Sequence, residues 1–492
     1  MGGAVADEIL EAPPMKVSDA GRAFPMCLPG EGDGHPLPGP AERVGVAFAG
    51  LDAGVEVLTW GQWSLWEAMS RHGSWMPLGG AKPLEAGVSV GDVAAELRYL
   101  VTRYPSMRTR LRFGAGDEPA QELFGAGEIF LEVYDAGDGT TPGELAAAVE
   151  ANYRHEPFHL ADDWPVRMAV IRRGGNLTHM VAIMCHLVTD AAGARVMLRE
   201  VAAGATEPPV GMQPLEQARW QRSSAGRRQD DRALRYHENV LATIAPRRLP
   251  YSGDPRSPRF WSADLRTRAL RPAAQALVQR TGATASTVLL ALYAVALARI
   301  TGVNPVVVRP LVGNRFRPGL ADVVCMLSQP GLCALDVADT TVDEAVARMQ
   351  RAVMSAYKYG YYDPRRLAEL VDRVTAERGP GFDISCMVND RRDESSAGPA
   401  AAPLTQEQAH AARDGSAFLW AGTTDRPSER MFLTIEDELE GILLNLSADT
   451  HHFPPAQFEP LLRGIEDLAI EAAVDSAART EPEDKGNGNG RS

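Results

Sequence analysis

PFHLADDWPVRMAVIRRGGNLTHMVAIMCHLVTDAAG, residues 157–193, decides the fold. Two apolar runs of strand length sit inside it, Pro165–Arg172 (PVRMAVIR) and Thr178–Cys185 (THMVAIMC), separated by Arg173, Gly174, Gly175 and Asn176. Glycines flanked by polar residues between two such runs signal a hairpin turn. The second strand is expected to end on His186, and Asp190 follows four residues later as the chain turns towards a helix over Val196–Ala203. A histidine at a strand end projects its imidazole into whatever the sheet edge faces, and a carboxylate four residues on curls back to fix the turn. On spacing alone, MCHLVTDAAG (Met184–Gly193) reads more readily as a core histidine beside a helix-capping aspartate than as a catalytic pair.

Outward from this block, helical and strand patterns mix. GQWSLWEAMSRH (Gly61–His72) spaces Trp63, Leu65, Trp66 and Met69 as an amphipathic helix, and VAAELRYLVTRY (Val93–Tyr104) does the same with Val93, Leu97, Leu100 and Val101. Ala283–Ile300 predicts a long buried helix with Thr284 or Ser286 near its N-cap, followed by a strand over Asn304–Pro310. Met431–Ile435 and Gly441–Ala448 predict a closing hairpin, and Pro455–Ala473 a final helix. The charged stretch Ser223–Arg235 reads as flexible connection. The expected organisation is a flexible leader over 1–44, an N-terminal lobe over 45–225, a C-terminal lobe over 226–475 and a disordered tail over 476–492.

The order of several motifs resembles a known family. The Pro-Phe-x-Leu opening, the two strands and the His-x-x-x-Asp turn of 157–193 are similar to condensation domains of nonribosomal peptide synthetases. TWGQWSLWEAM (Thr59–Met69) looks like that family's first motif, and YPSMRTRL (Tyr104–Leu111) is similar to its Leu-Arg segment, with Met107 and Arg108 at those positions. VVVRPLVGNRFRPGLADVVCML (Val306–Leu327) resembles the strand, Asn-Arg element and gate segment of the second lobe, and FDISCMVND (Phe382–Asp390) a further strand. The resemblance covers roughly 45–475. It implies an α/β fold of two chloramphenicol-acetyltransferase-like lobes in a V-shaped pseudo-dimer, with a tunnel at the junction.

The same resemblance implies chemistry. His186 would receive a proton from an attacking amine or hydroxyl, or position it, work that contributes about 10²–10⁴-fold. Asp190 would be the structural carboxylate, paired with Arg315, with Arg317 in reserve. Cys185, Ala191, Gly193 and Ser328 would face the substrate tunnel. The pattern departs from the family at four places: Cys185 replaces the first histidine, Ala191 the motif glycine, Ser328 stands near an asparagine and Cys333 near an arginine. Cys185 reads as a buried small hydrophobe rather than a nucleophile.

The implied donor is an acyl group on the phosphopantetheine arm of a carrier protein supplied in trans, with no tightly bound cofactor and coenzyme A as the alternative carrier. The implied acceptor is a small-molecule amine or alcohol, and the product an amide or ester in natural-product biosynthesis. A coenzyme-A-dependent acyltransferase and a catalytically silent recruitment protein are the competing readings. Arg219, Arg222, Arg227 and Arg228 form a basic cluster, read either as a dock for an acidic carrier or as a solvated connector.

Bulk properties exclude other classes. A formal charge of −14 argues against general nucleic-acid binding. The five cysteines are scattered without a CxxC pair, so neither a disulfide framework nor a zinc site is indicated. His155, His159, His179, His451 and His452 have no metal-ligand spacing. There is no signal-peptide pattern and no apolar run of membrane-spanning length, giving the expectation of a monomeric cytoplasmic enzyme.

Overall fold

The computed structural model describes residues 37, 39–114, 118–379, 382–392, 406–439 and 441–481. Most of the leader and the last eleven residues of the tail lie outside these. The chain divides into two compact units: the first runs as far as Arg219 and takes in Ala321–Met326, and the second comprises Trp220–Leu320 with the residues from Leu327 onward.

Among the described residues, the first unit is built on a five-stranded sheet in the order Glu42–Ala49, Ala126–Asp135, Val166–Arg173, Asn176–Cys185, Pro77–Pro83. The hairpin expected at Arg173–Asn176 forms, with Gly174 and Gly175 at φ 56° and 86°. Its two strands are apolar almost throughout because both faces are covered. Met168, Val170, Met180 and Met184 pack with Val93, Leu97 and Val101 of the helix Val90–Arg103 and with Val196 of Ala191–Ala202. The alternate residues Ala169, Ile171, Val181, Ile183 and Cys185 pack with Leu145, Val149 and Tyr153 of Pro142–His155 and with Trp66 and Met69 of Trp60–His72. Three of these helices start at reciprocal caps, Thr59 with Gln62, Ser89 with Asp92 and Thr141 with Glu144.

The second unit carries an eight-stranded sheet, among the described residues, whose main path runs Gln329–Pro330, Val306–Val312, Met387–Asp390, Met431–Glu438, Gly441–Asp449, Phe260–Thr267, Ala417–Thr424, with Cys333–Leu335 paired to Val306–Val312. The helix Ala285–Thr301 is capped by Thr284 and buried from Thr287 to Leu297, packing with Phe458–Val474 over one face. Val307 points to the other face, where Ala233 and Leu241 meet Leu367, Leu370 and Val374.

Three expectations need correction. The expected leader overlaps the first strand: Glu42–Ala49 pairs with Ala126–Asp135. Ser223–Arg235 is not a flexible connection but part of the helix Ser224–Thr243, because Asp230 and Asp231 are ion-paired with Arg366, and Glu238 with Arg373, of the helix Pro364–Arg378. Ala478 and Thr480 of the expected tail are buried, and the Thr480 hydroxyl faces the Val337 and Thr340 carbonyls at 2.6 and 3.0 Å.

Candidate active site

The strand Asn176–Cys185 stops one residue before His186. Its last residue, Cys185, is fully buried, pairs in register with Pro77, and receives its final backbone bond by donating to the Pro165 carbonyl at 2.9 Å. The Cys185 thiol faces the Trp75 carbonyl at 3.6 Å. Burial pushes this thiol up to about 12, so it is neutral at physiological pH. A nucleophilic role needs the thiolate, which this environment suppresses.

His186 opens the 3₁₀ turn His186–Val188 and is half-buried, while the other two residues of the turn, Leu187 and Val188, are buried. Leu187 packs into the cluster of Trp66, Trp75 and Phe158, and Val188 into that of Val196 and Met107. The two anchors clamp the turn from opposite faces, which fixes where the imidazole emerges. Asp190 is 3 % exposed and is the N-cap of Ala191–Ala202, its Oδ1 accepting from the Gly193 N–H at 2.9 Å. Gly193 is buried in the first turn of that helix, and Ala191 is exposed at its first position. One turn therefore gathers Cys185, His186, Asp190, Ala191 and Gly193. The capping geometry for Asp190 and the strand-end position for His186 coexist: the carboxylate caps Ala191–Ala202, and the half-buried imidazole stands just past the end of the strand.

The opening of the block has its own mechanical role. Phe158 is buried edge-on against Trp75, with ring centroids 4.7 Å apart. The Arg167 guanidinium lies 4.0 Å from the Phe158 ring and donates to the Glu156 and Pro157 carbonyls at 2.5 and 2.7 Å. The segment is thus riveted to Val166–Arg173, the strand paired with the one that leads into the His turn. Arg108 of the Leu-Arg segment is likewise structural, 2 % exposed and donating to the Asp52 and Phe124 carbonyls at 2.7 and 2.6 Å.

Arg315 and Ser328 belong to the second unit. Arg315 is half-buried on the loop after Val306–Val312, and Ser328 directly precedes Gln329–Pro330. Arg317, the reserve partner, is engaged within the second unit, where it donates to the Tyr357 and Lys358 carbonyls at 3.3 and 2.8 Å. Cys333 is fully buried in its strand, its thiol also pushed up to about 12 by desolvation. Among the described residues no group of three His, Cys, Asp or Glu is arranged to hold a metal ion, and no single helix is long and apolar enough to cross a membrane.

One contributor was not legible. The segment Ala321–Met326, read in sequence as part of the second lobe, completes the core beneath the His turn. Val324 joins the cluster of Val188 and Val196, and Met326 that of Cys185 and Leu187. Ser106 donates to the Val324 carbonyl at 3.0 Å, and Arg199 pairs with Asp322 at 2.7 Å. The apolar run VVCML marks it as buried, but not in which unit.

A family model described as "Condensation domain" matches residues 80–418. Tyrocidine synthase 3 of Brevibacillus parabrevis is 22% identical over 331 residues, 65% of this chain and 5% of the relative. Cyclosporin synthetase simA of Tolypocladium inflatum is 24% identical over 306 residues, 58% of this chain and 2% of the relative. The chain thus spans a small fraction of these curated relatives. Among solved structures, one described as the molecular basis for condensation domain-mediated chain release from the enacyloxin polyketide synthase superposes with a TM-score of 0.64 at 20% identity, covering 88% of this chain and 85% of that one. SgcC5 from Streptomyces globisporus gives 0.63 at 19% identity, covering 87% and 100%. The complex of the X-domain and OxyB from teicoplanin biosynthesis gives 0.64 at 20% identity, covering 88% and 96%.

Proposed function

The chain belongs to the condensation domain family, and from that premise we propose that it transfers an acyl group from a carrier-protein thioester to an amine or alcohol. The observation that carries the reading is His186, half-buried at the start of a turn whose next two residues, Leu187 and Val188, are locked into separate clusters. In this reaction the acceptor nitrogen or oxygen attacks the thioester carbonyl, and His186 receives or positions the proton. The carbon–sulfur bond then breaks, and the proton leaves with the pantetheine thiol. The product is an amide or ester. Cys185, neutral and turned to the Trp75 carbonyl, takes no part in bond making. Asp190 holds the turn through Gly193, and the resemblance assigns Arg315 as its cationic partner.

The test is intact-mass spectrometry of acyl-loaded carrier proteins incubated with the pure chain and candidate amines and alcohols. His186→Ala is expected to lower turnover about 10²–10⁴-fold with the melting transition unchanged. Product formation at the wild-type rate in that variant defeats the assignment. The same assay with free acyl-coenzyme A separates the two donors. A second reading, recruitment without turnover, is favoured by the exposed Ala191 methyl where the family has glycine. Carrier binding with no donor loss in the wild-type chain would establish it.

A further inference from the structure

The helix Ser224–Thr243 segregates its charges. Its acids are consumed on one side, Asp230 and Asp231 by Arg366 and Glu238 by Arg373. Arg228, Arg232, Arg235 and Asn239 recur at i, i+4, i+7 and i+11, which places them within about 60° of one another around the axis. Among the described residues the three arginines of this stripe make no ion pair, although the chain carries 64 acidic residues against 50 basic ones. Like charges three and four residues apart oppose helix formation, so the stripe opposes the helix that carries it.

The stripe borders a cavity of about 480 Å³ lined by Arg232, Arg235, Tyr236, Asn239, Lys358 and Tyr359. Lys358 and Tyr359 close the helix Val342–Tyr359. The last carbonyls of that helix are already served by Arg317, so the Lys358 ammonium is left to face other groups, and it sits 5.2 Å from the Tyr359 ring. Tyr236 and Tyr359 stack with centroids 4.8 Å apart and planes 20° from parallel, and the Tyr236 hydroxyl is fixed by donating to the Leu332 carbonyl at 2.7 Å. The walls thus combine three cations, a rigid aromatic pair and a side-chain amide, with no carboxylate among them.

We infer that this cavity in the second unit is an anion site for a phosphate group, held by Arg232, Arg235 and Lys358. Three unpaired cations around one concavity suit a multiply charged, many-oxygen anion better than a single carboxylate, which one guanidinium fork satisfies. The stacked tyrosines suit a phosphate ester bearing a planar ring. Concavity argues for an inserted small group rather than a flat acidic protein face. The site uses none of the residues assigned to acyl transfer, so its failure would leave that assignment untouched.

Isothermal titration of the full chain at low ionic strength with pyrophosphate, ADP and polyglutamate tests it. Pyrophosphate is expected to bind at one site, and the Arg232→Gln/Arg235→Gln double variant to weaken it by about tenfold or more. Lys358→Gln, at an exposed position, is expected to weaken it less and provides the second reading if the double variant misfolds. ADP binding more tightly than pyrophosphate assigns the site to a ring-bearing ester, and the reverse order to free polyphosphate. No pyrophosphate binding, an affinity unchanged in the folded variants, or binding of polyglutamate alone overturns the proposal.

Discussion

At the scale of single residues, Asp190 separates two roles that one substitution would confuse. Its carboxylate caps Ala191–Ala202 through the Gly193 N–H. Asparagine retains a capping oxygen and alanine does not, so Asp190→Asn should unfold in urea within about 0.5 kcal/mol of wild type while Asp190→Ala loses about 1–2 kcal/mol. Turnover lost equally in both would assign a role to the charge beyond the cap. Cys185 makes the complementary case. With its thiol held protonated to about 12 and its side chain fully buried, iodoacetamide should leave it unmodified in the native chain from pH 7 to 9. Cys185→Ala should keep turnover within about threefold, since the residue acts as a small hydrophobe. Labelling of Cys185 ahead of unfolding would contradict this. The identities of these residues and their shared turn were readable, because four residues of separation and a strand end are local features. The direction of the thiol was not, since its partner carbonyl belongs to Trp75, 110 positions away.

Elements were legible where their partners are near in sequence, and illegible where they are distant. The hairpin at Arg173–Asn176 and the helix capped by Thr284 follow from neighbours within a few positions. Ser224–Thr243 misled because its charges are neutralised by Arg366 and Arg373, about 135 residues on in each case, so a polar run became a packed helix. That helix also buries His237, which is 1 % exposed, donates from Nδ1 to the Ala233 carbonyl at 2.8 Å, and lies against Tyr236 and Tyr362. Desolvation lowers its pKa from 6.5 to about 4. The folded state therefore binds this proton more weakly than the unfolded chain. The stability concerned is complete above the unfolded value and is lost as pH falls from about 6.5 towards 4, a span worth about 3 kcal/mol. His237→Phe should flatten that part of the urea stability profile, and an unchanged slope would remove the histidine from the account. In the sheet of the first unit, Gly79 has φ 111°, and a Cβ there would stand 2.0 Å from the Ala182 carbonyl oxygen. Gly79→Ala should cost at least about 1–3 kcal/mol from the backbone conformation alone, before the clash with the strand that leads to His186.

Over the whole molecule, the two units are joined at three places in the chain, between residues 219 and 220, 320 and 321, and 326 and 327. The sequence foretold two lobes and an α/β class, because periodicity and motif order are distributed along the chain. It did not foretell the exchange of Ala321–Met326, since a short apolar run carries no record of its destination. A fragment ending at Arg219 lacks Val324 and Met326, two contributors to the clusters that hold the His turn. Such a fragment should bind a hydrophobic dye and show little near-ultraviolet dichroism, whereas native dichroism would show that the six residues are dispensable. For a gene, the same threading restricts inheritance. A single crossover near codon 220 between two diverged family members would draw residues 321–326 from one parent and the rest of the first unit's core from the other. Viable hybrids should then be those that co-inherit this hexapeptide with the 5′ part of the gene, or that carry equivalent side chains at positions 324 and 326.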